Sequence, residues 1–251
     1  MNITIAGYGF VGQAHYAALK DKFNVNIYDP ALGHTDFGKP EGVIVCVSTP
    51  QSDTGACYAD NVIDVVGRVD QDTPILVRST VSLEGWQKLR ELYPNHSLTF
   101  APEFLRAASA VKDFLATREI YMGGDAVGFW HAVFRVAFDD NKFTTQVALP
   151  EELILAKYFR NSFLATKVAF FNQVYDLCSA TGIEYEMVRH VIATDSRIGD
   201  SHTTITPERG FGGHCFPKDT AAIVHTGKLV DVNLTLIEES IKYNKSVRKL
   251  S

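Results

Sequence analysis

Cysteine is scarce in this chain: Cys46, Cys57, Cys178 and Cys215 are all that its 251 residues contain. None belongs to a C-x-x-C pair, and no His or Cys cluster has zinc-site spacing, so a structural metal is not expected. In a reducing cytosol the thiols are expected to be free, and any special role for one of them must come from its neighbours. Excess charge is lacking as well. The formal net charge of -5 provides no electrostatic footprint for nucleic acid or an anionic membrane. No apolar run is long enough to span a bilayer. Met1 leads directly into a short β-like run, so a signal peptide is not expected and a cytoplasmic location is. Internal repeats and low-complexity tracts are missing too.

What is present is ordinary for a globular protein, with 46% hydrophobic and 21% charged residues. The length suits one large domain, or a nucleotide-binding domain with a smaller partner. Ile3 to Ala6, Val25 to Tyr28, Val43 to Val47, Ile75 to Val77 and Leu98 to Ala101 read as strands. Val11 to Lys20, Tyr58 to Arg68 and Leu83 to Leu92 have helical periodicity between them. Glu119 to Met122 and Lys142 to Val147 add strands, with a helix through Phe129 to Phe138. Strands alternating with helices imply crossovers, and hence an α/β domain with a doubly wound parallel sheet of Rossmann type.

From Pro150 the pattern becomes helical. Pro150, Glu151 and Glu152 make a sound helix start, and the stretch to Ala180 has no internal Gly or Pro. Tyr185 to Ala193 is a shorter helix, Arg197 to Lys218 reads as an ordered loop, and Ala221 to Leu250 as two helical pieces broken near Gly227. The basic residues Lys242, Lys245, Arg248 and Lys249 suit the dipole at a helix end. Two domains are expected: residues 1–148, a dinucleotide-binding domain, and residues 149–251, an all-helical central domain.

The string Gly7-Tyr8-Gly9-Phe10-Val11-Gly12 supplies G-x-G-x-x-G between the first strand and the first helix. The first Gly permits the turn, the second lets a pyrophosphate approach the backbone, and the third lets helix pack on strand. Phe10 and Val11 open a helix whose N–H groups face the phosphates. Asp29 ends the second strand, where a carboxylate accepts both ribose hydroxyls of NAD and repels the extra phosphate of NADP. Strand, turn, helix, strand and acid arrive in the required order, which points to NAD.

The most unusual string is GFGGHCFPKD, residues 210–219. Its three glycines let backbone approach a ligand, and it places the Cys215 thiol beside Lys218 and Asp219. A nearby cation and exposed N–H groups favour a thiolate, hence a nucleophile. A buried filler role for a single cysteine remains open on these residues alone.

With GYGFVG (7–12), VCVSTP (45–50), RSTV (78–81), APEFLRAASAVKD (101–113), LAKYFRNSFLATKVAFFNQ (155–173) and RIG (197–199), that string is collinear with a known pattern. Over nearly the whole chain it resembles the nucleotide-sugar 6-dehydrogenases, the UDP-glucose/GDP-mannose dehydrogenase family. The resemblance implies a four-electron oxidation of a sugar C6 alcohol to the acid, with Cys215 carrying a thiohemiacetal and then a thioester. It implies that Lys157 and Asn161, one turn apart on a helix, stabilise an oxyanion, and that Glu103 helps water attack the thioester. It puts Thr80 at the reacting centre, Asp219 against Lys157 or a catalytic water, and Thr49, Thr80, Glu103 and Lys218 near the cofactor. Phe104, Leu105, Lys157, Asn161, Phe211 and Gly212 would meet the substrate. Arg197 would reach a partner subunit's substrate, which implies a homodimer through the helical domain.

Bland alternatives stand beside each role: a surface lysine for Lys157, a locally satisfied amide for Asn161, a capping carboxylate for Glu103, a strand-end hydroxyl for Thr80. For Asp219 the alternative is a helix N-cap, for Lys218 a solvated partner of that acid, and for Arg197 a surface salt bridge.

Departures from the family pattern are visible. The chain stops near residue 251, so the family's C-terminal nucleotide-sugar-binding domain is expected to be lacking. The connection from Asp29 to Val43 is short, so a helical insertion is expected to be absent. Ala107 stands where a second glutamate is usual, Ser48 replaces a Pro, Ser82-Leu83-Glu84 replaces P-G-T, and His214 precedes the cysteine where Ser is common. Two other readings therefore accompany the dehydrogenase: a catalytically silent NAD-binding and dimerisation module, and a dehydrogenase of a smaller, non-nucleotide alcohol.

Overall fold

Short apolar runs in the first half become strands, and the periodic stretches between them become the helices that cover the sheet. The computed structural model describes residues 1–52, 55–138 and 143–249. Two compact units emerge: residues 1–52 with 57–157, and residues 53–56 with 158–251. The strands of the first are β1 (Asn2–Ala6), β2 (Asn24–Tyr28), β3 (Gly42–Val45), β4 (Ile75–Val77), β5 (Leu98–Phe100), β6 (Glu119–Gly124) and β7 (Thr144–Val147). Its helices are α1 (Phe10–Leu19), α2 (Asp60–Val66), α3 (Leu83–Leu92), α4 (Ala110–Leu115) and α5 (Val127–Phe138). Then α6 (Pro150–Thr181) runs through the division, and α7 (Tyr185–Ala193), α8 (Cys215–Leu229) and α9 (Thr235–Val247) belong to the second unit.

Among the described residues the strands form one sheet in the order β2-β1-β3-β4-β5-β6-β7. From β2 to β5 every pairing is parallel. The expected doubly wound parallel sheet is present, and β6, for which the sequence carries no direction, runs antiparallel to β5, pairing Thr99 with Gly124 and Phe100 with Gly123. The close approach there depends on glycine: a Cβ on Gly124 would lie 2.2 Å from the Leu98 carbonyl oxygen. β7 is parallel to β6. Lys142, the expected start of that last strand, lies outside the described residues.

Strands β3, β4 and β5 are buried along their whole length. Covered on both faces, such strands read as continuous hydrophobic runs rather than as alternating patterns. Ile3, Ile5, Ile44 and Leu76 join Phe114, Trp130 and Phe134 in one core. Between β2 and β3 there is only a 3-10 turn at Pro30–Leu32, in agreement with the short connection. Thr4 Oγ1 donates to the Phe37 carbonyl at 2.9 Å and ties this segment across the sheet end. Helix α4, with a 3-10 turn at Ala107–Ser109, is an element the periodicity did not reveal. Helix α2 is shorter than expected at both ends.

Helix α6 opens as its first residues suggest, with the Glu152 carboxylate accepting the Leu149 N–H at 2.8 Å. It closes at Gly182, φ +72, where the Ile183 N–H reaches back to the Cys178 carbonyl at 2.9 Å. The expected loop over Arg197 to Lys218 ends earlier: Cys215 is the first residue of α8, and Pro217 sits in the first turn, where a missing N–H costs nothing. The expected break at Gly227 falls just beyond it. A Cβ there would lie 2.6 Å from the Val232 carbonyl, so the chain folds back over Gly227 after α8 has ended. Leu250, the expected end of the last helix, lies outside the described residues. Among the described residues no helix is long and apolar enough to cross a membrane.

Candidate functional site

Within the first unit, β1 has β2 on one side and β3 on the other. The strand order therefore reverses at β1, and the crevice beyond the carboxyl ends of β1 and β3 is where such sheets bind ligands. The Gly7–Gly12 turn fills this place. Gly7 has φ +92, and a Cβ on it would lie 2.6 Å from the Cys46 carbonyl oxygen. A Cβ on Gly12 would lie 2.0 Å from the Gly7 carbonyl, so packing compels both glycines. Beside Gly9 there is open space, with no atom within 4 Å of a Cβ. No side chain caps α1 at Gly9, so its first N–H groups are left to whatever enters that space. Asp29 Oδ2 accepts the Tyr8 N–H at 2.8 Å, which holds the carboxylate at the rim of the turn. Thr49 is buried and Thr80 half-buried. The Cys57 thiol donates to the Thr80 carbonyl at 3.4 Å, and its longer contact to the Thr49 carbonyl is 3.9 Å. Open space at Gly9, an uncapped helix start and a fixed carboxylate fit a dinucleotide.

A second group in the same unit is a buried charge cluster. Lys157 Nζ donates to the Glu103 carboxylate and to the Glu103 carbonyl, both at 2.7 Å, and the side chains are 2% and 8% exposed. The other carboxylate oxygen accepts the Leu105 N–H at 2.8 Å, and the ammonium lies 5.9 Å from the Phe104 ring centre. Burial pushes the Glu103 carboxyl up, but the charge and hydrogen bond of Lys157, the Leu105 N–H and Arg78 together hold it below its ordinary value. A carboxyl held low is a weaker base. Both carboxylate oxygens already have partners.

Arg78 had no role in the sequence reading. Buried at the end of β4, its guanidinium donates to the Ala101 and Pro102 carbonyls at 2.9 and 3.0 Å and pins the segment leading to Glu103. The only signal was a basic residue directly after the apolar run Ile75-Leu76-Val77. Two neighbours feel its charge. Burial and then Arg78 push His15 down to about 3, against the pull of the Val11 carbonyl. Burial pushes the Cys46 thiol up to about 12, with Arg78 opposing and Glu103 assisting. Cys46 is therefore held as an inert thiol.

In the second unit, Cys215 is half-buried at the start of α8, with His214 at the N-cap. A thiol there meets the positive end of the helix dipole. Asp219 is the fifth residue of that helix, not an N-cap, and only 1% of its side chain is exposed. It accepts from Asn161 Nδ2 at 2.6 Å and from Lys218 Nζ at 2.7 Å. On α6, Asn161 is thus the residue that meets Asp219, and Lys157 the one that meets Glu103. Lys157 and Asn161 do lie one turn apart on α6. Phe211 is buried and Gly212 is packed against the Arg248 guanidinium. Arg197 forms an exposed ion pair with Asp195. Among the described residues, no group of three or more His, Cys, Asp or Glu is placed to hold a metal.

Fold and site together define an α/β unit of Rossmann type joined through one long helix to a helical unit. Residues 152–246 match the model of the UDP-glucose/GDP-mannose dehydrogenase family, central domain. A UDP-glucose 6-dehydrogenase of Rickettsia felis is 31% identical over 232 residues, covering 88% of this chain and 50% of the relative. One of Rhizobium meliloti is 29% identical over 307 residues, covering 99% of this chain and 68% of the relative. A solved UDP-glucose dehydrogenase of Pyrobaculum islandicum superposes with a TM-score of 0.82 at 22% identity, covering 98% of this chain and 68% of that one. Through residues 152–246 the chain carries the central domain of the UDP-glucose/GDP-mannose dehydrogenase family. It spans about half the length of several curated relatives it matches.

Proposed function

We propose that this chain carries the NAD-binding and covalent-catalysis machinery of a nucleotide-sugar 6-dehydrogenase, oxidising a sugar C6 alcohol to the acid through Cys215. The observation that carries the reading is the setting of that thiol. Cys215 is half-buried at a helix start, whereas Cys57 and Cys178 are buried and Cys46 is held protonated.

NAD, when bound, supplies the hydride acceptor for both oxidations of C6. The chain's own residues do the rest. Gly9 gives room for the pyrophosphate, and Asp29 binds the ribose hydroxyls. The first oxidation leaves an aldehyde and releases the hydroxyl proton. Cys215 Sγ then adds to the aldehyde carbon, and the new C–S bond retains the carbon until the second hydride leaves and a thioester results. Water adds to the thioester carbonyl, the C–S bond breaks, and the acid departs as the thiol is restored. Lys157, held by Glu103, and the Asn161 amide, oriented by Asp219, are suited to stabilise the oxyanions of these steps. Lys218 tethers Asp219, and the family resemblance assigns Thr80 to the reacting end and Phe104, Leu105, Phe211 and Gly212 to the substrate.

The second unit supports a homodimer. Phe163, Phe170 and Leu177 of α6 are 70%, 54% and 68% exposed at seven-residue intervals, and Ile183, Met187 and Val191 are exposed nearby in sequence. A repeat of this kind makes an apolar seam suited to a second copy. Arg197 would then serve the partner's substrate.

A second reading is a silent NAD-binding and dimerisation module, favoured by Ala107 in place of a glutamate. NADH formation from NAD with UDP-glucose or GDP-mannose tests the choice. Turnover with either donor supports the dehydrogenase, and NAD binding without turnover of any donor supports the module.

A further inference from the structure

The turn ahead of Cys215 is held from outside. Arg209 and Gly210 both have left-handed φ, +59 and +56. A Cβ on Gly210 would lie 2.1 Å from Asn244 Oδ1, so packing as well as φ requires glycine there. Four main-chain groups of this turn bond to side chains of other elements. The Gly210 N–H donates to Asn172 Oδ1 at 3.1 Å, and the Arg209 carbonyl accepts from Arg248 Nη1 at 2.9 Å. The Phe211 N–H donates to Asn244 Oδ1 at 2.6 Å, and the Phe211 carbonyl accepts from Asn244 Nδ2 at 3.0 Å.

Asn172 is oriented by its own bond to the Val168 carbonyl at 2.9 Å, and it also accepts from Arg209 Nε at 2.8 Å. Asn244, 7% exposed, works alone on Phe211: one amide satisfies both main-chain groups of one residue, as a neighbouring strand would. The Phe211 ring is buried with Ala165 and Ala169, and Phe216, directly after Cys215, packs on the same cluster. The thiol thus sits between two ring anchors, separated from the upstream one only by Gly212, Gly213 and His214.

We propose that Asn244 is a positioning residue for Cys215, which fixes the upstream anchor of the thiol by pairing with both main-chain groups of Phe211. Loss of the amide leaves a buried N–H and a buried C=O without partners, and the turn relaxes to find water. The glycines that follow offer no resistance of their own. The inference takes from the proposed function only that Cys215 is the reacting thiol, and its test needs neither NAD nor a sugar.

The test is the rate of iodoacetamide alkylation at Cys215 in the full chain, read by peptide mass spectrometry that separates it from the other three cysteines. At about pH 9.5 an ordinary thiol is ionised, so access to the thiol sets the rate. Asn244→Ala is expected to raise the rate by about fivefold or more. Ser240→Ala, which removes a bond to Leu236 within the same helix, is expected to stay within about twofold of the parent. A rise below about threefold in Asn244→Ala, or an equal rise in Ser240→Ala, overturns the proposal. Should Asn244→Ala not fold, Asn244→Asp keeps the acceptor for the Phe211 N–H and loses the donor to its carbonyl. A rise of about twofold or more in that variant supports the proposal, and a smaller change contradicts it.

Discussion

Lys157 gives its ammonium to two oxygens of one residue, meeting the Glu103 carboxylate and the Glu103 carbonyl at 2.7 Å each. With both side chains buried, neither charge has water to fall back on. Removing one partner therefore strands the other. Lys157→Met should destabilise the fold by roughly 3–5 kcal/mol, and Lys157→Met with Glu103→Leu should recover much of that loss. Urea titration of the parent, the two single variants and the double variant gives the coupling. A cycle that closes with no coupling would show that the pair is not held as described.

Acid should unfold the first unit partly through His15. Its folded value, about 3, lies below the ordinary 6.5. The unfolded chain therefore binds a proton as pH falls through 6.5, while the folded chain does not until near 3. Stability is lost across that window, by at most about 1.4 kcal/mol per pH unit. Glu103, also held low, contributes above its ordinary value near 4.5 and loses that contribution as pH falls further. Between pH 7.5 and 5.0 the two separate. His15→Leu should flatten the drop in urea midpoint over that range, and an unchanged slope would assign the sensitivity elsewhere.

Much of the fold was legible because its signals are local. Helix α3 matched its expected bounds, and Ser82 caps it by accepting the Gly85 N–H at 3.1 Å. Strand β4 and helix α7 also matched. The start of α8 is hidden in the sequence because Pro217 reads as a loop residue, although a first helical turn tolerates proline. The reversal of β6 is hidden because periodicity reports which face is buried and carries no strand direction.

The same division holds for the site. The Gly7–Gly12 turn is contiguous in sequence, and its place between β1 and α1 is legible directly. Arg78, Asn172 and Asn244 act on main chain 23 to 38 positions away, and no local spacing marks them. Even for residues picked out by the family pattern, some partners carry no mark in the sequence: the Asn161–Asp219 hydrogen bond joins residues 58 positions apart.

Asp29 should set cofactor affinity. Its carboxylate is already oriented by the Tyr8 N–H, so Asp29→Ala should weaken NAD binding about tenfold or more, or about 1.4 kcal/mol. Calorimetric titration checks this. An unchanged affinity would remove Asp29 from the cofactor site.

A charge in the α6 seam should break the proposed dimer. Phe163→Glu with Phe170→Glu places two carboxylates on the exposed apolar stripe, which an apolar interface cannot accommodate unpaired. Sedimentation velocity should show a dimer for the parent and a monomer for the double variant. A parent that is monomeric at all concentrations would contradict the interface.

The central claim is that Cys215 holds the carbon between two oxidations. The most direct measurement is the NADH formed per nucleotide sugar consumed, with UDP-glucose and with GDP-mannose, for the parent and for Cys215→Ser. The covalent role of Cys215 predicts two NADH per sugar in the parent and loss of net oxidation to the acid in the variant, with NAD binding retained. Acid formation by Cys215→Ser at the parent rate would contradict it.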